Sequence, residues 1–179
     1  PFDDLESACQ RQVKQFLAFA SDPFDRANLS GHIVADAWIL NPSMTKVVMI
    51  EHGVHRHWNT PGGHCDGSAD IFTAAMREAE EEAGLKNLTP LGDGIFDIHT
   101  GWVAPRVKNG ILEPTHLHFD VCYAFVASDD APLIISDEST DLRWINLDTP
   151  PDLLFAPSFK RRREKTLQRW NLNNRCAAA

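Results

Sequence analysis

The feature that most constrains this chain is an acidic, helix-like segment enclosed by glycines, between residues 63 and 85. From about 69 to 83 the apolar residues recur at helical spacing, and Gly84 fits a left-handed C-terminal cap. Small and apolar side chains fill one arc, which predicts packing against a sheet. At 100° per residue, three carboxylates share a neighbouring arc of about 100°. They are Glu78, Glu81 and Glu82.

Clustered glutamates of this kind favour a bound divalent cation. Like charges three or four residues apart repel by a few tenths of a kcal/mol per pair, and a hard cation such as Mg²⁺ or Mn²⁺ turns that repulsion into ligation. An acidic run alone is more often a solvated helix face. Here Gly62 and Gly63 let the preceding backbone approach a ligand, and Arg77 lies four residues before Glu81, where it can hold that carboxylate. We therefore predict a metal site at these three glutamates.

The same segment resembles the Nudix box, whose pattern is Gly, five residues, Glu, seven residues, and Arg-Glu-aliphatic-any-Glu-Glu-any-Gly-aliphatic. The stretch from Trp58 to Gly63 is similar to the usual lead-in of that family. One position departs, because Ala69 stands where the first box glutamate is expected, and Asp70 or Asp66 is the nearest partial substitute. The positions that match in register are Gly63, Arg77, Glu78, Ala79, Glu81, Glu82, Gly84 and Leu85.

The resemblance implies hydrolysis of a phosphoanhydride bond in a nucleoside diphosphate-linked or related small diphosphate. In that family Glu81 and Glu82 match the main ligands of Mg²⁺ or Mn²⁺, and Glu78 matches a position that completes the metal site or orients its waters. A cation there activates water and stabilises the leaving phosphate. Glu138, six residues before Trp144, is the candidate general base, although an acidic turn exposed to solvent is a nearly equal alternative.

The histidines allow two interpretations. His116, His118 and Asp120 share one face of a predicted strand, and His55, His57 and His64 flank the glycine loop. These imidazoles either contact substrate phosphate and line a hydrogen-bonded cleft, or form a second site for zinc, iron or manganese. The first interpretation is the plainer one.

Two other features have ordinary interpretations as well as functional ones. The basic run at 160–165 is expected to be a solvated face of the last helix. Trp58 and Trp102 either stack on a nucleobase or pack in the core and loops.

The order of elements predicts a mixed α/β or α+β domain, and the resemblance narrows it to an α/β/α sandwich with a mixed sheet between helices. Residues 1–176 are expected to form one such domain, with helices within 1–22 and at 158–170, and 177–179 a tail or cloning remnant. Strands are predicted at 33–40 and 46–50 as a hairpin, at 95–99, at 116–126 and at 142–147, with loops at 52–66 and 136–141.

Composition limits the remaining classes. The net charge of −8 disfavours binding to a nucleic acid polymer, and no apolar run predicts a membrane span or a signal peptide. Four scattered cysteines predict neither a zinc knuckle nor a disulfide framework, so a reducing cytoplasm is expected. A homodimer is compatible with the sequence. Two alternatives remain: an isomerase similar to isopentenyl-diphosphate isomerase, and a ligand-sensing Nudix module that lost activity.

Overall fold

A mixed β-sheet between helices organises the protein. The computed structural model describes residues 1–52, 57–108, 110–137, 139–153 and 155–177. The helices are α1 (Asp4–Phe19), α2 (Ile71–Ala83) and α3 (Phe159–Ala177). The strands are β1 (His32–Leu40), β2 (Lys46–His52), β3 (Trp58–Asn59), β4 (Gly62–His64), β5 (Thr89–Pro90), β6 (Asp97–Val103), β7 (Arg106–Lys108), β8 (Ile111–Glu113), β9 (His116–Val126) and β10 (Ser139–Asn146).

Eight of these strands form one sheet, in which β10, β2, β1, β9 and β5 follow one another. The short strands β3 and β4 pair with β2 and β1, and β6 pairs with β9. Only the β1–β9 pair is parallel among the described strands of the sheet, with a register that runs from His32 opposite His118 to Leu40 opposite Val126. That pairing joins residues far apart in sequence and places the start of β1 beside the start of β9.

The two faces of the sheet carry different side chains, because successive residues of a strand point to opposite sides. On one face, Ile33, Ala35 and Val121 pack with residues of α1 and α2 in a buried apolar cluster. On the other face, Trp38 packs with Phe159 of α3 in a second apolar cluster. This is the predicted α/β/α sandwich, with β1 and β2 forming the predicted hairpin.

Helix α2 begins two residues later than the sequence predicts. Asp70 is its N-cap, since the Asp70 carboxylate accepts from the Thr73 backbone N–H at 3.0 Å and from the Thr73 hydroxyl at 2.7 Å. Ala69 has no such acceptor and lies outside the helix. At the other end Gly84 takes the predicted left-handed conformation, with φ 71°.

Other boundaries also differ from prediction. The predicted loop at 52–66 contains β3 and β4, and the predicted loop at 136–141 already contains the start of β10. Strand β6 lies at 97–103 instead of 95–99, and the β7–β8 hairpin was not predicted. Strands β3, β4, β7 and β8 are held by backbone pairing and have only two or three residues each, too few for a periodic pattern, so the sequence did not reveal them. Helix α3 extends to Ala177, beyond the predicted end at 170, so the start of the expected tail is helical.

No helix within the described part of the chain is both long and apolar enough to cross a lipid bilayer.

Candidate active site

The glycine loop and the acidic helix meet directly. The Glu82 carboxylate Oε2 accepts a hydrogen bond from the Gly62 backbone N–H at 2.8 Å. Glu78 and Glu82 are buried at this junction, whereas the Glu81 side chain is about half exposed, at 55%. The structure thus brings the three predicted metal ligands to one edge of α2, two facing the loop and one facing solvent.

Gly63 is a position of close backbone approach. A Cβ atom at residue 63 would overlap the Glu78 carboxylate, and one at Gly62 would lie 2.7 Å from the Ala35 carbonyl oxygen. At Gly62 the backbone leaves no space for a side chain, whereas at Gly63 a side chain would displace the Glu78 carboxylate. The loop therefore lies against the helix with its peptide groups next to the carboxylates.

Arg77 fastens the helix to the loop with its planar guanidinium. Its Nη1 donates to Glu81 Oε2 at 2.8 Å, and its Nη2 donates to the His64 carbonyl oxygen at 2.7 Å. The same Nη2 lies 2.8 Å from Glu78 Oε1. Burial raises the pKa of Glu78; the charge of Arg77 opposes this shift, and the charge of Glu81 adds to it.

The missing box glutamate at Ala69 is only partly replaced. Asp70 is committed to capping α2, so it does not brace the loop. Asp66 Oδ2 lies 3.7 Å from Arg77 Nη2 and supplies a weaker ionic contact from the loop itself. Of the two expected substitutes, Asp66 is the one that reaches the box arginine.

A cleft of about 1310 Å³ lies beside this junction. It is bounded by the sheet face that α3 covers. Its carboxylate-rich side is formed by Glu78, Glu81 and Glu82, and Arg26 and Arg106 contribute positive charge elsewhere on its wall. A cavity with carboxylates on one side and guanidinium groups on another suits an anionic substrate together with a cation.

The floor of the cleft contains a buried ion network that the sequence did not predict. Arg162 donates to Asp36 Oδ2 at 2.6 Å and to Asp97 Oδ2 at 3.2 Å. Arg161 also binds Asp97, with Nε to Oδ1 at 2.8 Å. The prediction of a solvated helix face at 160–165 is wrong for these two arginines, which are only 5% and 2% exposed. The sequence signal that could have revealed this network is the presence of Asp36 and Asp97 within apolar strand segments, since buried acids need basic partners.

Asp120 lies on the cleft wall near this network. Burial and the nearby charge of Asp36 raise the pKa of Asp120 to about 8, although Arg162 opposes the shift. His99 pairs across from Asp120 in the β6–β9 register, and burial together with Arg162 lowers the pKa of His99. Asp120 can therefore hold or release a proton near neutral pH, whereas the lowered pKa of His99 favours its neutral form there.

Four histidines meet at the start of β1 and β9. The predicted pair is confirmed as neighbours, with Nε2 of His116 and Nε2 of His118 3.1 Å apart. His64 joins them from the glycine loop, at 5.5 Å between its ring centroid and that of His118. His32 was not predicted, and its ring centroid lies 4.8 Å from that of His118.

Burial keeps several of these rings neutral. Burial, and then the charges of His32 and His64, lower the pKa of His118 to about 3. The pKa of His64 falls to about 4 through burial and the charge of Arg26. Neutral imidazoles retain a lone pair at physiological pH.

The other predicted residues separate into two groups. Trp58 is buried beneath the Arg143 guanidinium, 4.8 Å from the ring centroid, and fits the packing interpretation. Trp102 is 72% exposed on the cleft wall, open to a ligand. His57 is half-buried before β3. Glu138 and His55 lie outside the described residues, so their predicted roles stay predictions.

Comparison with known proteins identifies one family. The sequence model of the NUDIX domain matches residues 31–169. No curated protein sequence matches the chain.

Solved structures of this domain share the fold. The NUDIX domain of Shewanella oneidensis NrtR, in complex with ADP ribose, matches with a TM-score of 0.56 and 17% identity over 87% of this chain and 97% of that one. The Nudix hydrolase RenU of M. smegmatis matches with a TM-score of 0.53 and 25% identity, over 77% of this chain and 88% of RenU. The E. coli dihydroneopterin triphosphate pyrophosphohydrolase matches with a TM-score of 0.54 and 14% identity, over 76% of this chain and 92% of that enzyme.

Proposed function

Because this chain belongs to the NUDIX domain family, we propose that it is a metal-dependent hydrolase that cleaves a phosphoanhydride bond in a small diphosphate-containing substrate. A diphosphate repels anionic nucleophiles, so its hydrolysis needs charge neutralisation and a positioned water.

The observation that carries this proposal is the junction of the acidic helix with the glycine loop. Glu82 accepts from the Gly62 N–H, Glu78 packs against Gly63, and Arg77 holds the Glu81 carboxylate. A solvated acidic helix would place its carboxylates away from the fold, whereas two of these three are buried beside a cleft.

The donor set fits Mg²⁺ or Mn²⁺. Carboxylate oxygens are the ligands these ions prefer, and three of them near one arginine leave a net negative charge for a cation to balance. Glu81 and Glu82 would hold the ion, and Glu78 would complete the site. When bound, such an ion neutralises phosphate charge and makes water more acidic.

The chain's own groups would position the substrate. Arg26 and Arg106 line the cleft and share an ion pair with Glu113, and their remaining N–H groups can bind phosphate oxygens. The peptide groups of Gly62 and Gly63 let the substrate approach the carboxylates closely.

Residues outside the Nudix box are expected to determine which substrate is bound. Trp102 is an exposed aromatic surface on the cleft wall, which suits stacking on a planar ring. ADP ribose, bound by the NrtR domain, and dihydroneopterin triphosphate, named for the E. coli enzyme, both carry a ring and a phosphoanhydride. A substrate with a ring on one side of its diphosphate is therefore the class we propose.

A substrate panel tests this function. The full chain would be incubated with nucleotide sugars, ADP ribose, dinucleotides, nucleoside triphosphates and coenzyme diphosphates, with and without Mg²⁺ or Mn²⁺, and the phosphate products identified. We expect metal-dependent cleavage between phosphates of at least one ring-bearing substrate. Tight binding of such a substrate without turnover would instead identify a ligand-sensing module, and rearrangement of an isoprenoid diphosphate without phosphate release would identify an isomerase.

A further inference from the structure

A cluster of histidines stands apart from the carboxylates of the box. His32, His116 and His118 each offer one ring nitrogen, and these three atoms lie within 4.8 Å of one another. His64 is an adjacent fourth ring, with its centroid 4.9 Å from that of His32, and its nitrogens lie outside this close set of three atoms, so the His64 ring must turn or shift to join it. The four residues come from β1, β4 and β9, so the sheet pairing assembles a set that the sequence disperses.

Backbone carbonyls select which nitrogen of two rings is available. His116 Nδ1 lies 2.8 Å from the Pro114 carbonyl oxygen. A carbonyl only accepts, so Nδ1 carries the proton and Nε2 keeps its lone pair. His32 makes the same contact more weakly, with Nδ1 3.4 Å from the Asn28 carbonyl oxygen. Metal-binding histidines are usually oriented in this way by a hydrogen bond from the second ring nitrogen.

The inward nitrogens lack enough partners. Nε2 of His32 and Nε2 of His64 are buried and make no hydrogen bond to any described residue. His116 Nε2 can accept a hydrogen bond from a proton on His118 Nε2, which satisfies both of these atoms. The Nε2 atoms of His32 and His64 remain without such a partner among the residues that the structure describes. Buried polar atoms are rarely left unpaired, and two unpaired nitrogens in one cluster of neighbouring rings indicate a bound ion or water.

We propose that His32, His64, His116 and His118 form a second metal site, which holds a transition-metal ion that prefers imidazole, with Zn²⁺ as the simplest occupant. Imidazole nitrogen suits zinc and its neighbours, whereas Mg²⁺ prefers the oxygen ligands of the box. In a tetrahedral zinc site the bonds of about 2.1 Å place the ligand nitrogens about 3.4 Å apart. The His116–His118 separation of 3.1 Å is already near that value.

The site would act on the glycine loop. His64 directly follows Gly63, and its carbonyl oxygen accepts from Arg77. An ion bound to the His64 ring would tie this residue to the histidines of β1 and β9 and so hold the loop in place against α2. Four protein ligands leave a zinc ion no open position, which is typical of structural sites. This role does not depend on the hydrolase activity.

Metal analysis and anomalous diffraction test the proposal directly. The full chain would be dialysed against a chelating resin, supplied with Zn²⁺, freed of excess metal and analysed for bound metal. Crystals of the same material would be measured on both sides of the zinc absorption edge. We expect one zinc per chain, an anomalous peak between the four rings, and a tetrahedral visible spectrum when Co²⁺ replaces zinc. Absence of stoichiometric metal, or a peak only at Glu81 and Glu82, would overturn the proposal.

Matched variants separate this site from its surroundings. His116→Gln keeps a polar side chain but removes the imidazole ligand, and it should lose the bound zinc. His99→Gln changes a half-buried histidine of the same cleft and should retain it. The Glu81→Gln/Glu82→Gln variant should also retain zinc, because it alters only the carboxylate site. Retention of zinc by His116→Gln would contradict the assignment, and if that variant does not fold, the anomalous peak and Co²⁺ spectrum of the unaltered chain decide.

Discussion

The Gly62 backbone N–H donates to the Glu82 carboxylate at 2.8 Å, so the glycine loop and the helix that carries the proposed metal ligands share a hydrogen bond. The bond orients the Glu82 carboxylate toward the loop. A charged acceptor makes this bond stronger than a neutral one. If Glu82 binds the proposed cation, we expect loop position and metal affinity to be coupled through this side chain.

Replacement of Gly63 by alanine should abolish activity. The added Cβ would overlap the Glu78 carboxylate, so the loop or the glutamate must move. We expect turnover to fall at least tenfold, since small displacements of positioning groups have large effects on rate. Steady-state kinetics on the substrate found by the panel would measure this. Gly94→Ala is the matched control, because a Cβ there meets nothing within 4 Å, and equal kinetics for both variants would refute the argument.

Replacement of Arg77 by lysine should weaken metal binding. Lysine is a single point charge and cannot reach Glu81, Glu78 and the His64 carbonyl together, as the guanidinium does. We expect the Mg²⁺ concentration for half-maximal turnover to rise about 10–100-fold. The exposed Arg11→Lys on α1 serves as control. An unchanged Mg²⁺ dependence in Arg77→Lys would show that the arginine does not organise the site.

Glu138→Gln tests the candidate general base, which lies outside the described residues. Removal of a general base typically costs about 10²–10⁴-fold in rate. Turnover should therefore fall strongly while the thermal unfolding temperature stays unchanged. The neighbouring Asp137→Asn changes the same acidic turn and should keep near-normal turnover. Near-normal turnover in Glu138→Gln would remove that residue from the mechanism.

Asp97→Asn should destabilise the fold. Asp97 is fully buried and bound by Arg161, Arg162 and Lys165, the last at 2.7 Å. Loss of its charge leaves buried cations poorly compensated, at a cost of about 3–5 kcal/mol in the free energy of unfolding. Urea denaturation measures this, with the exposed Asp93→Asn as control. A cost similar to that of the control would contradict a structural role for the network.

The contribution of Asp97 to the free energy of unfolding should decrease at low pH. Burial alone would raise the pKa of Asp97, but the hydrogen bond from Arg161 and the charges of Arg162 and Lys165 outweigh it and lower the pKa. Because the pKa is lower in the folded state, the ionised carboxylate stabilises the fold at pH values above the unfolded-state pKa of about 3.9. This stabilisation is lost as the pH falls through the folded-state pKa. The difference in stability between the unaltered chain and Asp97→Asn should thus narrow only below about pH 4.

The sequence predicted the acidic helix well, because Arg77, the glutamates and Gly84 all lie within one short segment, and their spacing alone indicates a helix and its end. The β1–β2 hairpin was predicted for the same reason. His32 was missed because the parallel β1–β9 pairing that brings it to His118 leaves no local trace in the sequence. The basic run of α3 was misassigned, since a charged helix face looks alike in sequence whether water or buried aspartates oppose it.

The central claim is that the box carboxylates hold the cation that supports turnover. The most direct measurement compares Mg²⁺-dependent hydrolysis by Glu81→Gln/Glu82→Gln with that by Glu80→Gln, a glutamate of the same helix that pairs with Lys86 at 3.0 Å on the exposed side. We predict that the double variant folds, still binds substrate and has no metal-supported turnover, whereas Glu80→Gln is unaffected. Metal-supported turnover at the normal rate in the double variant would contradict the account.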